Sequence, residues 1–261
     1  MDLAHAISGF LVGLLVGLTG VGGGSLMAPV LILIFGVSPT TAVGTDLWFA
    51  CATKSVGGAI HSAKNNADFR VVGRLMMGSM PAAIATLVVL NAMHWGQVKQ
   101  GWLPITLGLV LVATAVATIV RPVLHRWIMA HGGADGFAGP NQLQLPLTIV
   151  AGAILGVLVT ITSVGAGALG ATLLVFLYPV RLDTKQIVGT DIVHAIPLTL
   201  VAGIGHLLIG SVDVHLLLNL LVGSIPGIII GSLLVHFVSD KLVRITLSLV
   251  LVLTGVRLIA I

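Results

Sequence analysis

The chain has 261 residues, 57% of them hydrophobic and only 8% charged, and its mean hydropathy is +1.16. No water-soluble domain of this size keeps so little charge on its surface, so the composition selects a polytopic membrane protein. The formal net charge of +4 sits mainly in short connections, which suits anionic headgroups and sets nucleic acid aside as a partner.

A membrane-crossing helix needs about 20 apolar residues. The first apolar segment, 3–36, is interrupted by Gly20-Val21-Gly22-Gly23-Gly24-Ser25. Segments 39–62, 71–92 and 102–124 follow, then a polar connecting loop over 125–143. The next segment, 144–178, is interrupted by Ser163-Val164-Gly165-Ala166-Gly167-Ala168, and 184–208, 212–236 and 241–260 complete the chain. A glycine inside a helix costs about 1 kcal/mol against alanine, so both runs predict unwound backbone. Such backbone survives at membrane depth only where protein buries it or where it lines a cavity.

The two halves match residue for residue. A shift of 145 places Gly44-Thr45-Asp46 on Gly189-Thr190-Asp191, His61 on His206, Asp68 on Asp213, Gly78-Ser79 on Gly223-Ser224 and Pro81 on Pro226. Chance apolar similarity does not align Asp, His and Pro in one register, so the chain is read as an internal duplication. Cation placement then addresses topology. If each broken segment crosses once, the cations split almost evenly. If each enters and returns, Lys64, Arg70, Arg74, Arg121, Arg126, Arg181, Lys185, Lys241 and Arg244 share one side and leave Lys99 and Arg257 on the other. That bias is what the positive-inside rule describes.

The expected fold is therefore an all-α polytopic membrane protein of two inverted repeats, 1–124 and 144–261. Each is a broken, re-entrant hairpin helix plus three transmembrane helices. The basic loops are expected to be cytoplasmic and both termini outside. The length of 3–19 keeps an eight-span alternative open.

Two broken elements in corresponding positions point to a transporter's substrate site. In the hairpin reading the returning half-helices begin near Ser25 and Ala168, where unpaired N–H groups and the positive ends of helix dipoles attract an anion. Glycines also serve close helix packing, which is the plainer reading of any one of them. Asp46 and Asp191 are carboxylates inside membrane helices, suited to carrying protons, or else to capping and pairing. Lys54 lies about 80° and His61 about 60° from Asp46 around the helix, so the three share one face. Lys54 either contacts the substrate or neutralises Asp46. His194 follows Asp191 by three residues and is a candidate for substrate or proton contact. His61 and His206 are read as proton relays or as interfacial anchors, and Trp48, Trp95, Trp102 and Trp127 as belt or packing aromatics.

Catalytic signatures are missing from the chain. All eight acidic residues are Asp, so the Glu of a zincin is lacking, and no nucleophile elbow or Walker loop occurs. The histidines lack metal-ligand spacing. Cys51 is the only cysteine, which rules out an intramolecular disulfide. Met1-Asp2-Leu3 opens without a basic n-region, so a removable signal peptide is not expected. The chain is read as a non-enzyme, with no cofactor and no metal.

The run Gly17 to Pro29 with Gly22-Gly23-Gly24, then Ala42-Val43-Gly44-Thr45-Asp46-Leu47, Thr53-Lys54-Ser55-Val56-Gly57 and His61, resembles the TauE/SafE sulfite-exporter permeases. Gly78-Ser79-Met80-Pro81 and its repeat at Gly223 to Pro226 fit as well. The resemblance implies secondary transport of small sulfur-containing anions, such as sulfite, sulfoacetate or other organosulfonates, across a bacterial-type plasma (inner) membrane. Its substrate region would be the two breaks, Gly22, Gly23, Gly24 and Ser25 with Gly165, Ala166, Gly167 and Ala168, plus Thr45, Asp46, Thr190 and Asp191. The second break lacks three consecutive glycines. Alternating access with proton coupling is the expected mechanism. The alternatives are a passive anion channel of the same architecture, or a membrane assembly factor or intramembrane enzyme without transport. Expected partners are the sulfur anion and the lipid bilayer, with a homodimer left open.

Overall fold

The protein is described by a computed structural model that covers residues 3–19, 26–63, 65–93, 101–131, 141–234 and 239–260. Among these residues ten helices and no strand occur. They are α1 Leu3–Thr19, α2 Met27–Leu33, α3 Pro39–Ala63, α4 Phe69–Ala92, α5 Trp102–His131, α6 Asn141–Thr162, α7 Ala168–Leu177, α8 Thr184–Leu208, α9 Val214–Leu234 and α10 Asp240–Ile259. An all-helical build follows from the solvent, since a bilayer offers backbone groups no hydrogen-bond partner. Hydroxyls inside the helices obey the same constraint. Those of Thr114, Thr118, Thr160 and Thr254 each donate to the carbonyl four residues back.

Six helices are long and apolar enough to span: Phe69–Ala92, Trp102–Ala130, Leu143–Thr162, Thr184–Leu208, Val214–Leu234 and Lys241–Ile259. Their outer faces expose Leu109, Val116, Leu218, Leu249 and Leu253, each more than half accessible, as a lipid-facing surface requires. The chain is a multi-pass membrane protein.

Both broken elements turn back on themselves. At the first, the His5 ring near the start of α1 lies 4.3 Å from the Phe35 ring just past α2. At the second, Gln144 Nε2 donates to the Leu177 carbonyl at 3.4 Å, and Thr148 Oγ1 lies 2.7 Å from the Tyr178 hydroxyl. The start of α6 and the end of α7 therefore meet.

Glycine sets the contact partners of the outer arms. Gly9, Gly13 and Gly17 of α1 press on the backbone of Leu220, Ser224 and Ile228, and Gly223, Gly227 and Gly231 of α9 press back on Ala6, Phe10 and Leu14. The residue numbers rise together, so α1 and α9 run parallel. Gly152 and Gly156 of α6 meet Leu75 and Ser79 of α4 in the same way. Backbones this close leave no room for a Cβ, which is the small-xxx-small logic of membrane packing. Each hairpin arm thus packs on a helix of the other half.

At the centre α3 and α8 cross in antiparallel register, with Trp48 Nε1 donating to the Gly203 carbonyl at 2.9 Å and Gly58 against Ile196. Their ends are tied by two matching staples. The Asp213 N–H donates to Thr45 Oγ1 at 3.1 Å, and the Asp68 N–H donates to Thr190 Oγ1 at 3.0 Å. Gly44 lies on the Ser211 carbonyl and Gly189 on the Asn66 carbonyl. All four pairings obey the shift of 145 seen in the sequence.

One helix boundary departs from the sequence reading. The connection read as a loop from 125 begins as helix, because α5 continues past Pro122 to His131. Ile128, 1% exposed, and Leu124 pack there on Val71, Leu75, Tyr178 and Ile187, and that burial holds the extra turns in place.

The contacts also sort the cations. Arg181 pairs with Asp68, which ties the α7–α8 connection to the start of α4. The end of α5 and the start of α10 line one cavity with the start of α8. Arg70, Arg74, Arg121, Arg126, Arg181, Lys185, Lys241 and Arg244 therefore gather at one end, while Arg257, in the last turn of α10, lies at the other. Lys64 and Lys99 lie outside the described residues.

Candidate functional site

Where α3 crosses α8, the apolar core contains a knot of buried polar side chains. Asp46 and Lys54 come from α3, Asp191 and His194 from α8, Ser79 from α4 and Ser163 from the second break, and none is more than 2% exposed. Charged side chains without solvent are expensive, and in a membrane they mark function by default.

The second break runs through this knot. Ser163 (φ 58°), Gly165 (φ 116°) and Gly167 (φ 139°) adopt left-handed or otherwise glycine-type conformations, so the helix unwinds here as the glycines foretell. The unwound carbonyl of Ala166 turns toward α3 and accepts a hydrogen bond of 2.6 Å from Lys54 Nζ. The Lys54 ammonium also lies in the field of both Asp191 and Asp46. It therefore lies between the two halves, near a carboxylate of each.

Each carboxylate stands at the start of the short returning helix of its own half. Asp46 is faced by the Ala28 amide in the first turn of α2 and by the Ser163 hydroxyl. Asp191 lies on Gly170 in the first turn of α7, where any Cβ would strike its Oδ1. The positive ends of both returning helices are thus turned to the chain's own acids. Ala168 opens α7, buried, with no side-chain cap on the helix.

Several polar atoms of the knot are buried without a hydrogen bond of normal geometry among the described residues. They are both oxygens of Asp46, Oδ1 of Asp191, Nδ1 of His194 and Oγ of Ser163. His194 Nε2 has the Ser79 hydroxyl at 2.9 Å. An orphaned buried polar group costs about 1–3 kcal/mol, so five such atoms in one place mark a costly cluster.

Other residues singled out from the sequence have different surroundings. The Thr45 and Thr190 hydroxyls accept the loop amides of Asp213 and Asp68, so both staple helix ends beside the knot. His206 is fully buried with Nδ1 3.0 Å from Ser211 Oγ and Nε2 2.9 Å from the Thr160 carbonyl, which ties α8 to α6. Gly22, Gly23, Gly24 and Ser25 lie outside the described residues, as does the side chain of His61. Among the described residues no three His, Cys or Asp side chains converge as metal ligands. Ser79 and Ser163 escaped the sequence reading as site residues, although each sits in a motif already visible there, Gly78-Ser79-Met80-Pro81 and the second break.

The family model described as "Sulfite exporter TauE/SafE" matches residues 5–258. The "Probable membrane transporter protein YjnA" of Bacillus subtilis (strain 168) is 38% identical over 223 residues, 82% of each chain. A second relative from that organism, the "Probable membrane transporter protein YdhB", is 26% identical over 211 residues, 78% of each chain. No solved structure matches the chain. A buried ionic knot on a broken helix, a lipid-facing shell and a family match over nearly the full length lead to one conclusion: the chain belongs to the sulfite exporter TauE/SafE family of membrane transporters.

Proposed function

We propose that the protein is a proton-coupled secondary transporter of small sulfur-containing anions, sulfite, sulfoacetate or other organosulfonates, working by alternating access. The observation that carries this reading is the buried Asp46–Lys54–Asp191 cluster on the second helix break. With both acids ionised the three groups sum to one negative charge, and a bound anion would add another in a medium that penalises charge. A proton taken up by either acid offsets the anion, so substrate and proton bind together. Lys54 then supplies the countercharge to the anion. His194 Nδ1, without a partner among the described residues, and Ser163 Oγ, which faces Asp46, supply polar contacts, with the tip residues Gly165 to Ala168 around them.

The reading includes an inverted repeat, in which the two hairpins enter from opposite faces and rock against each other around the knot. The matched staples Thr45–Asp213 and Thr190–Asp68 support it. The gathering of Arg and Lys at one end supports a cytoplasmic position for that end in a plasma membrane, with both termini outside.

The test is sulfite uptake into proteoliposomes. Transport should saturate, show trans-stimulation and follow an imposed pH gradient, whereas a channel would show neither saturation nor trans-stimulation. Asp191→Asn should impair pH-driven uptake while leaving counterflow measurable. Unchanged pH-driven uptake in that variant would remove Asp191 from proton coupling.

A further inference from the structure

At the basic end a cavity of about 440 Å³ opens between the end of α5, the start of α10 and the helices α7 and α8. Arg121 and Arg126 of α5 and Arg244 of α10 all line it, with His125 between the first two. Among the described residues no carboxylate comes within salt-bridge distance of these three guanidiniums, the one such pair being Arg181–Asp68 elsewhere. His125 Nδ1 is buried there without a hydrogen-bond partner among the described residues. Thr118 and Thr184 border the same space, Thr184 at its exposed rim. Three like charges around one hollow repel one another, and the arrangement becomes favourable when an anion enters. Arginine is the side chain suited to it, since its planar fork grips the paired oxygens of a sulfonate or phosphate.

We propose that this cleft holds a second oxyanion site, on the approach to the central knot, that receives a sulfate-, sulfonate- or phosphate-type group through Arg121, Arg126, Arg244 and His125. Its volume exceeds that of a bare tetrahedral anion and leaves room for a short organic chain. Ala168 lines the cavity as the first residue of α7, and the charge of Arg121 reaches Asp191 in the knot. The cleft therefore stands between the basic end of the molecule and the central site, as an anteroom that concentrates anions by their charge. The group it holds is either a free anion or the headgroup of an anionic lipid.

Binding of radiolabelled sulfate to the purified full chain in phosphatidylcholine nanodiscs tests the site. Arg244→Gln should weaken sulfate binding about tenfold, the loss of one charge-assisted contact, and Arg244→Lys should weaken it less. The component of sulfate binding lost with Arg244 belongs to the cleft, and any component that persists belongs to the central knot. A thermal melt without sulfate shows whether each variant is folded, and Arg126→Gln gives a second reading if Arg244→Gln is not. Replacing phosphatidylcholine by phosphatidylglycerol separates the two sources. Abolished sulfate binding assigns the cleft to a lipid headgroup, and retained binding assigns it to a soluble anion. Equal sulfate affinity in wild type, Arg244→Gln and Arg126→Gln overturns the proposal. The measurement is made at equilibrium, so failed sulfite uptake with intact Arg244-dependent binding would count against the transport reading alone.

Discussion

Lys54 is the sharpest place to perturb the central knot. The residue is 2% exposed, and its ammonium donates to the Ala166 carbonyl and faces two acids from different halves of the chain. Lys54→Met keeps the length and apolar stem of the side chain and removes only the charge. Both carboxylates then stand buried without their cation, and breaking a buried pair from one side costs about 3–5 kcal/mol. The lost hydrogen bond to Ala166 adds about 1–3 kcal/mol, because an unwound carbonyl is left unpaired in a dry site. The variant should therefore unfold at markedly lower temperature in detergent, as followed by tryptophan fluorescence. Adding Asp191→Asn should recover part of the loss, since one uncompensated charge disappears, and a coupling of at least about 1 kcal/mol is expected for neighbours of this kind. Sulfite counterflow should vanish in the single variant. Wild-type stability in Lys54→Met, or strict additivity in the double variant, would show that Lys54 does not hold the two acids and would falsify the charge arithmetic behind the proposed mechanism.

Two further outcomes follow from the packing and the loops. Gly223→Ala drives a methyl group into the backbone of Ala6 and should destabilise by about 1–3 kcal/mol, while Gly73→Ala, with nothing within 4 Å, should be neutral or slightly stabilising; thermal melts of the pair compare them. Burial raises the carboxyl pKa of Asp68, but the amide of Val71, the Arg181 guanidinium and the amide of Arg70 outweigh it and leave the group below its ordinary value. Its stabilisation is thus present above the unfolded pKa near 4 and is lost as pH falls through the lower folded value. A wild-type melting temperature that drops below about pH 4 should flatten there in Asp68→Asn.

The long helices were legible because lipid imposes length and apolarity together, and a run such as 184–208 has no other reading. The second helix break was legible because Gly165 and Gly167 sit where only glycine takes the backbone easily. The end of α5 was not. Pro122 and the charges after it look like a stop, and only the burial of Ile128 against a helix far away in sequence overrides them. The same limit applied at the knot. Helical periodicity put Asp46 and Lys54 on one face, but the reach of Lys54 to Ala166 depends on a hairpin from the other half of the chain. Arg121, Arg126 and Arg244 read as loop cations in sequence, and their convergence on one hollow exists only in three dimensions.

The parallel glycine seam between α1 and α9 has a consequence for biosynthesis. Leu3–Thr19 leaves the ribosome first, yet the surface that accepts it, Gly223, Gly227 and Gly231, is made near the end of the chain. Until then the first arm has no mate for its row of bare backbone, and the α6 arm relies in turn on α4 from the earlier half. Neither half can be finished by itself. The seam between the oldest segment and one of the newest must therefore wait for α9, and a chain truncated before Val214 should leave the glycine row of α1 uncovered, however apolar its helices.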